Sequence, residues 1–319
     1  MAAKLKLKIM TGPYESVRAL KEGQVQPEGI ELVMPDSPGA RDLHNPAVQA
    51  ELDIGEFNAG AFMANKERGH PVTALPIFLH RRFRHGFVFI NKIKGINEPK
   101  DLIGKRIGGT NFAPAGNIWA RGLLENIYGV PHESITWVTE RDEDGEFDYH
   151  DRLKVERIGP DQDLDDMLAE GDLDAMISPN VARGIREQDP RVGRLWDNYK
   201  DVETAYYQET GIFPIMHVTT IKQRVVDENP WVVDSLMKAF EESKQIAYKR
   251  LVNPRIVPLV FYQSAWEEQR DLFDDDPWEY GLSAINRKNI ETMASYVHQQ
   301  GLTSKLMTAE DLFAAPCFN

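Results

Sequence analysis

Short apolar segments alternate along this chain with stretches in which apolar residues recur every three or four positions. The first pattern is typical of strands and the second of amphipathic helices. The pattern predicts strands at residues 5–10, 30–34, 77–78, 87–91, 106–109, 136–138, 156–158, 175–177 and 215–221. It predicts helices at 116–128, 164–169, 229–250, 264–272 and 287–299. Strands and helices in alternation indicate an α/β fold.

The alternation continues over 319 residues, which is too long for one small core and favours two domains. Two segments, 79–91 and 209–221, are the places where we expect the chain to cross from one lobe to the other. Residues 1–84 and 218–319 then form a discontinuous lobe I, and 85–217 form lobe II. We therefore predict two mixed sheets flanked by helices, joined by a double-crossover hinge, with a substrate cleft between the lobes.

The first ten residues do not have the pattern of a secretory signal. Lys4, Lys6 and Lys8 interrupt the apolar run of roughly 7–15 residues that such a signal needs, and their alternation predicts a strand instead. No stretch reaches the roughly 18 apolar residues that span a bilayer. The single cysteine, Cys317, cannot form an internal disulfide and fits a reducing compartment. We expect a cytoplasmic protein with no membrane partner.

The net charge is −13, and no basic stripe interrupts it, so a nucleic-acid partner is disfavoured. An excess of acid repels anionic ligands at long range, and an anion site here needs a local group of cations. The acidic segment 139–151 fits a solvated loop.

One such cationic group is the sequence His-Arg-Arg-Phe-Arg-His at residues 80–85. In a strand, Arg82 and Arg84 would point one way and His85 the other. Arginine binds carboxylates through two parallel hydrogen bonds, and histidine exchanges a proton near neutral pH. The segment is either a site of this kind or a solvated basic turn.

A second candidate is His217, within the apolar strand that ends segment 209–218. A lone histidine on such a strand is commonly a core residue. If this strand is the second hinge crossing, His217 would instead lie close to His85.

A third candidate is the strand-to-helix corner at 108–117, which has the sequence Gly-Gly-Thr-Asn-Phe-Ala-Pro-Ala-Gly-Asn. Free N–H groups at a helix start attract anions. The corner lacks the Gly-Lys-Ser/Thr ending of a phosphate-binding loop, so a nucleotide is disfavoured. It favours a carboxylate near Asn117, with Arg121 one turn further on as a partner or as an ordinary surface residue.

Smaller corners follow other strands and point to the same edge of an open sheet. They carry the polar residues Tyr14, Arg18, Asn58, Ser178 and Asn180. Each is a candidate for substrate binding or simply part of a turn. Sequence motifs of serine hydrolases, zinc proteases and zinc-binding cysteine pairs are absent.

Many of these residues lie in motifs that resemble the 4,5-dihydroxyphthalate decarboxylase family. The motifs are Tyr14 with Arg-Ala-Leu at 18–20, Gly-Gln-Val-Gln-Pro-Glu-Gly-Ile at 23–30, Phe-Arg-His at 83–85, and the segments 101–106, 119–122, 128–130, 177–179, 210–218, 229–231, 278–281 and 298–302. They span nearly the whole chain in order. The resemblance implies a type II periplasmic-binding-protein-like fold used for aromatic decarboxylation without an organic cofactor.

The resemblance implies decarboxylation of a hydroxylated aromatic mono- or dicarboxylate such as 4,5-dihydroxyphthalate or a relative, in aromatic catabolism. The ring carbon that bears the carboxylate is protonated, and CO2 then leaves. We expect His85 to be the general acid and His217 the alternative acid or the partner of a phenol. Arg84 and Arg18 would hold carboxylate, aided by the helix start at Asn117. The residues expected to line the substrate site are Tyr14, Arg18, Asn58, Arg82, Arg84, Asn117, Arg121, Ser178 and Asn180.

Three alternatives remain open. The chain could be a solute-binding protein of the ABC-transporter type that binds an aromatic carboxylate without catalysis. It could be an enzyme of another chemistry on the same fold, as in menaquinone or thiamin-precursor synthesis. Decarboxylation could also be metal-assisted, with His85, His217 and Glu209 as ligands. We further expect a homo-oligomer, with apolar residues near Trp266 and Trp278 in a subunit interface or in the core.

Overall fold

A computed structural model describes residues 3–35, 43–143, 153–274 and 276–318. Its strands are β1 Leu5–Met10, β2 Ile30–Val33, β3 Ile54–Asn58, β4 Val72–Leu75, β5 Val88–Asn91, β6 Arg106–Gly109, β7 Thr136–Thr139, β8 Lys154–Arg157, β9 Ala175–Ile177, β10 Val192–Arg194 and β11 His217–Lys222. The greater part of the predicted acidic loop, residues 144–151, lies outside the described residues.

The helices are α1 Arg18–Lys21, α2 Pro46–Glu51, α3 Ala59–Glu67, α4 Ala115–Asn126, α5 Leu164–Glu170, α6 Arg183–Arg186, α7 Tyr199–Thr210, α8 Gln223–Glu228, α9 Val232–Leu251, α10 Tyr262–Phe273, α11 Ala284–Gln299 and α12 Ala309–Leu312. Short 3₁₀ helices cover Glu15–Val17, His85–Phe87, Lys92–Lys94, Pro99–Leu102, His132–Ser134 and Ala315–Phe318. None of the helices in the described ranges is both long enough and apolar enough to cross a bilayer.

The chain forms two compact units. Unit 1 comprises Met1–Arg81, Ile215–Ile290 and Thr308–Asn319, and unit 2 comprises Arg82–Pro214 and Glu291–Met307. The predicted crossings lie three residues later, and residues 291–307, which were predicted for lobe I, belong to unit 2. The substrate cleft between the lobes stays a prediction.

Unit 1 is built on a sheet with the strand order β2-β1-β3-β11-β4. β1 is parallel to β2 and β3, whereas β11 is antiparallel to β3 and β4. The helix α9 covers this sheet, with a buried stripe that includes Val232, Leu236, Ala239 and Phe240 at helical spacing. This stripe joins the apolar side chains of the central strands in one core.

Unit 2 repeats the design with the strand order β10-β5-β9-β6-β7-β8. β6, β7, β8 and β9 are parallel, and β5 is antiparallel to both of its neighbours. Phe89, Val138, Leu168 and Met176 pack in its core. In each unit the antiparallel strand is the first one that follows a crossing of the chain from the other unit, and this arrangement confirms the predicted class of two mixed sheets flanked by helices.

Two local predictions were wrong. Residues 77–78 do not form a strand, because the strand in that region is β4, Val72–Leu75. The long helix α9 begins at Val232 rather than at Asn229, whose carbonyl accepts the backbone N–H of Val232 at 3.0 Å. Its N-cap residue is therefore Trp231.

Candidate active site

The first candidate site lies at one end of the unit 1 sheet, where β11 begins. His217 pairs with Asn58, and Thr219 pairs with Glu56, in the antiparallel register of β11 and β3. Because side chains two residues apart on a strand share a face, His217 and Glu56 are diagonal neighbours on one face of the sheet. The register therefore brings the histidine and the carboxylate together.

Glu56 is completely buried and is held by three donors. Its Oε1 lies 2.5 Å from Nδ1 of His217 and accepts the hydroxyl of Tyr14 at 2.6 Å. Its Oε2 accepts the backbone N–H of Gly12 at 2.7 Å. Burial alone would raise the pKa of Glu56, but the hydrogen bonds from His217, Tyr14 and Gly12, together with the charge of His217, outweigh it and lower the pKa.

An ionised Glu56 fixes the tautomer of His217. An ionised carboxylate only accepts hydrogen bonds, so Nδ1 of His217 carries a proton and donates it to Glu56 in this hydrogen bond. The other ring nitrogen, Nε2, makes no hydrogen bond within the described part of the chain, and the side chain is 14% exposed. The rings of His44 and His80 flank the His217 ring with centroids 4.5 and 4.7 Å away. Nε2 of His217 is therefore available for proton exchange, while Nδ1 is held by Glu56.

The second candidate site lies in unit 2 and is built around Arg84. This guanidinium is almost completely buried, at 2% exposure, above the ring of Phe87. Its Nη2 donates to the carbonyl of Ser178 at 2.7 Å. A Cβ on Gly116, in the first turn of α4, would lie only 3.0 Å from Cζ of Arg84. The charge therefore sits against the start of a twelve-residue helix.

No carboxylate within the described ranges forms an ion pair with Arg84, and its Nε has no hydrogen-bond partner there. The pKa of Arg84 is lowered to about 9, chiefly by burial and also by the nearby Arg82, while the charge of Glu203 opposes this shift. The start of α4 adds positive potential from the helix dipole. A buried cation beside a helix start is costly unless an anion joins it, so this corner is suited to bind a carboxylate.

His85 lies next to Arg84 in an aromatic environment. Its ring is within 5.1–5.9 Å of the rings of Trp196, Tyr206 and Tyr128. Neither of its ring nitrogens has a hydrogen-bond partner among the described residues. Burial lowers the pKa of His85 to about 4, so the ring is neutral at pH 7.

No local sequence pattern indicates Glu203, on α7, as a site residue. Its Oε1 accepts the backbone N–H of Gly86 at 2.9 Å. Burial raises the pKa of Glu203 to about 6, although the hydrogen bond from the N–H of Gly86 and the charges of Arg84 and Arg194 act to lower it. No local pattern indicates Glu56 as a partner of His217 either, because the pairing of β3 with β11 brings together residues that are 161 positions apart.

The other predicted residues are largely engaged within the protein. The amide of Asn58 caps α3, the amide of Asn117 donates to the carbonyl of Asn111 at 2.7 Å, and the Ser178 hydroxyl accepts the N–H of Asn180 at 3.1 Å. Arg18 is paired with Glu22 on the surface of unit 1.

Arg121 is not a surface residue: it is 1% exposed, and its guanidinium lies 3.5 Å from the ring centroid of Phe112. Arg82 donates to the carbonyl of Pro179 at 2.9 Å.

The alternative metal set gains no support. Glu209 is exposed on α7. Among the residues that the structure describes, no three His, Cys, Asp or Glu side chains are grouped so that they could hold a metal ion.

Two mixed sheets with a candidate site in each define a protein of the type II periplasmic-binding-protein-like class. The fold matches a putative periplasmic sulfonate-binding protein SsuA from Methylobacillus flagellatus KT with a TM-score of 0.57, at 14% identity, over 100% of this chain and 94% of that one. It also matches the desulfurization enzyme DSZB with a TM-score of 0.56, at 13% identity, over 99% and 98% of the two chains.

Sequence comparison is more specific. The chain is 30% identical to a 4,5-dihydroxyphthalate decarboxylase from Comamonas testosteroni over 98% of this chain and 97% of that protein. The sequence model of the NMT1/THI5-like family matches residues 17–144. This chain belongs to the 4,5-dihydroxyphthalate decarboxylase family, which confirms the resemblance seen in its motifs.

Proposed function

We propose that this protein decarboxylates a hydroxylated aromatic mono- or dicarboxylate, such as 4,5-dihydroxyphthalate or a relative. Family membership supports a decarboxylase. The observation that carries the proposal is the pairing of buried Glu56 with Nδ1 of His217, because a protein that only binds its ligand has no need of a histidine supported in this way. Family membership and the single cysteine also support a cytoplasmic site of action.

In the proposed reaction, His217 is the general acid. Protonated His217 delivers the Nε2 proton to the ring carbon that bears the carboxylate, and the electron pair for the new C–H bond comes from the ring, with a hydroxyl in the para position donating density. The bond to the carboxylate then breaks, its electron pair restores the aromatic ring, and CO2 leaves. Glu56 stabilises the positive ring of His217 before the transfer, and solvent restores the proton afterwards.

Arg84 and the N–H of Gly116 hold a carboxylate of the substrate. A bidentate arginine contact and helix N–H groups both fit a planar anion. His85 is neutral at pH 7 and is assigned to a hydrogen bond with a substrate hydroxyl, because a ring with a pKa of about 4 is a poor proton donor at that pH. This assignment exchanges the roles that the sequence analysis gave to the two histidines.

A CO2-release assay tests the proposal with purified protein and a panel of hydroxylated aromatic mono- and dicarboxylates, with and without a chelator. Turnover of a panel member that survives the chelator supports the proposed reaction. Loss of turnover with the chelator would replace it by a metal-assisted one. Tight binding without CO2 from any member would favour a solute-binding protein, the function named for the SsuA neighbour.

A further inference from the structure

The corner between β6 and α4 already holds a carboxylate, which comes from the protein itself. Glu143 accepts the backbone N–H of Phe112 through Oε1 and that of Ala113 through Oε2, at 2.9 Å for the second contact. Two consecutive N–H groups thus bind the two oxygens of one carboxylate. This is the geometry of a backbone site for a planar anion.

The rest of the corner reinforces this site. Arg121 is buried and donates through Nη2 to the carbonyl of Phe112 at 2.5 Å, while its Nε donates to Gln300 at 2.8 Å. The carbonyl of Phe112 and the N–H of Ala113 belong to one peptide group, so a cation on that carbonyl polarises the N–H, and linked hydrogen bonds strengthen one another. Arg121 is therefore a positioning residue for the N–H groups that Glu143 occupies.

A second anion position lies three residues further along the same corner. There the N–H of Gly116 has no partner in the described part of the chain, and the buried guanidinium of Arg84 lies against that glycine. Nε of Arg84 is buried without a hydrogen bond to any described residue. One corner therefore carries two anion positions, of which the protein fills one with its own carboxylate.

We propose that the N–H groups of Phe112 and Ala113 form a second carboxylate subsite for a dicarboxylate substrate, and that Glu143 occupies it until the substrate displaces it. The inference rests on the proposed function, since Arg84 and Gly116 hold the first carboxylate there. The second subsite makes the corner selective for dicarboxylates over monocarboxylates. A ligand with one carboxylate fills only the Arg84 position and leaves Glu143 in place.

Isothermal titration calorimetry of the full chain with phthalate and benzoate tests this inference without any turnover. If Glu143 occupies the subsite nine-tenths of the time, removing it raises the apparent affinity for phthalate about tenfold. We expect this gain in Glu143→Ala and Glu143→Gln, with the affinity for benzoate unchanged within about twofold. Glu140→Gln is the matched control, because it removes the same charge from an exposed carboxylate on the same segment.

Equal or weaker phthalate binding in both Glu143 variants would overturn the subsite, as would an equal gain for phthalate and benzoate or a similar gain in Glu140→Gln. If neither ligand binds to any variant, both this inference and the proposed carboxylate site at Arg84 fail. If the Glu143 variants gain phthalate affinity while no panel member releases CO2, the subsite stands and the proposed decarboxylation fails.

Discussion

Oε1 of Glu56 lies 2.5 Å from Nδ1 of His217, and the carboxylate is completely buried while the imidazole is partly exposed. This difference in burial gives the two residues different roles. The buried member is held ionised by three donors and stays in place, whereas the exposed member keeps Nε2 for a reaction partner. Such a carboxylate orients a histidine and stabilises its positive form without itself taking part in proton transfer.

Replacing Glu56 by glutamine removes the charge but keeps the size of the side chain. We expect kcat to fall by about 10- to 100-fold with little change in KM, as is typical when a group that supports a functional histidine is lost. The measurement is steady-state decarboxylation across pH. Tyr14→Phe is the matched control, because it removes one donor to Glu56 and keeps the carboxylate, so its loss of kcat should be much smaller. Equal kcat in Glu56→Gln and wild type would remove this residue from catalysis.

Replacing His217 by glutamine removes the proposed proton donor. We expect kcat to fall by about 10²- to 10⁴-fold, the usual contribution of general acid catalysis, while the Kd for substrate changes little. His132→Gln is the matched control, because His132 is also buried and also contacts a glutamate, Glu125, through Nδ1. Glu125 lies near the end of α4, about 13 Å along the helix from Gly116.

For that control we expect a loss of unfolding free energy of about 1–3 kcal/mol without a change in kcat. A His217→Gln enzyme with wild-type kcat, or a His132→Gln enzyme that loses turnover as strongly, would contradict the assignment.

Replacing Arg84 by methionine separates binding from stability. The Kd for an aromatic carboxylate should rise about 10- to 100-fold, which corresponds to the loss of a charge-assisted hydrogen bond. The thermal unfolding temperature of the ligand-free protein should stay the same or rise, because a buried cation without an ionic partner is replaced by an apolar side chain. Calorimetric binding and unfolding scans measure both quantities.

The matched control is Arg82→Met, at a neighbouring guanidinium that is less buried and donates to the carbonyl of Pro179. We expect it to change the Kd far less. A marked drop in the unfolding temperature of Arg84→Met without a change in Kd would show that Arg84 is structural.

Sequence patterns predicted the two mixed sheets because a strand and an amphipathic helix each leave a local periodic signal. They also selected His217 and Arg84 from residue type and position. They could not show that Glu56 lies beside His217, because this contact depends on the register of β11 against β3. The aromatic rings around His85 come from positions 43 to 121 residues further along the chain.

The sequence alone is enough to predict that Arg18 forms an ion pair within the protein. Arg18 and Glu22 are four residues apart on a helical stretch, a spacing at which opposite charges pair, and the structure pairs them at 2.6 Å. By contrast, the anion position at Glu143 depends on contacts between the segment at 140–143 and the corner at 110–113, which no local pattern specifies.

The buried ring of His85 should make stability depend on pH. Its pKa is lowered to about 4 in the folded protein, so between that value and the ordinary value near 6.5 the unfolded chain binds more protons. Stability is therefore lost as pH falls through this window, by on the order of 2 kcal/mol between pH 7 and pH 5 for this group alone. Denaturant unfolding of wild type and His85→Phe at the two pH values measures the difference.

In His85→Phe this contribution disappears, so the variant should lose less stability than wild type on acidification. Glu203 has its pKa raised to about 6 and acts in the opposite sense, since its protonation favours the folded state, but it is present in both proteins. His85→Gln is the companion variant, because it also lacks the titration while keeping a polar group for a substrate hydroxyl. The stability of His85→Gln should depend on pH as weakly as that of His85→Phe. Its KM should lie closer to the wild-type value than the KM of His85→Phe does. Parallel pH profiles of stability in all three proteins would mean that the ring titrates alike in the folded and unfolded chains.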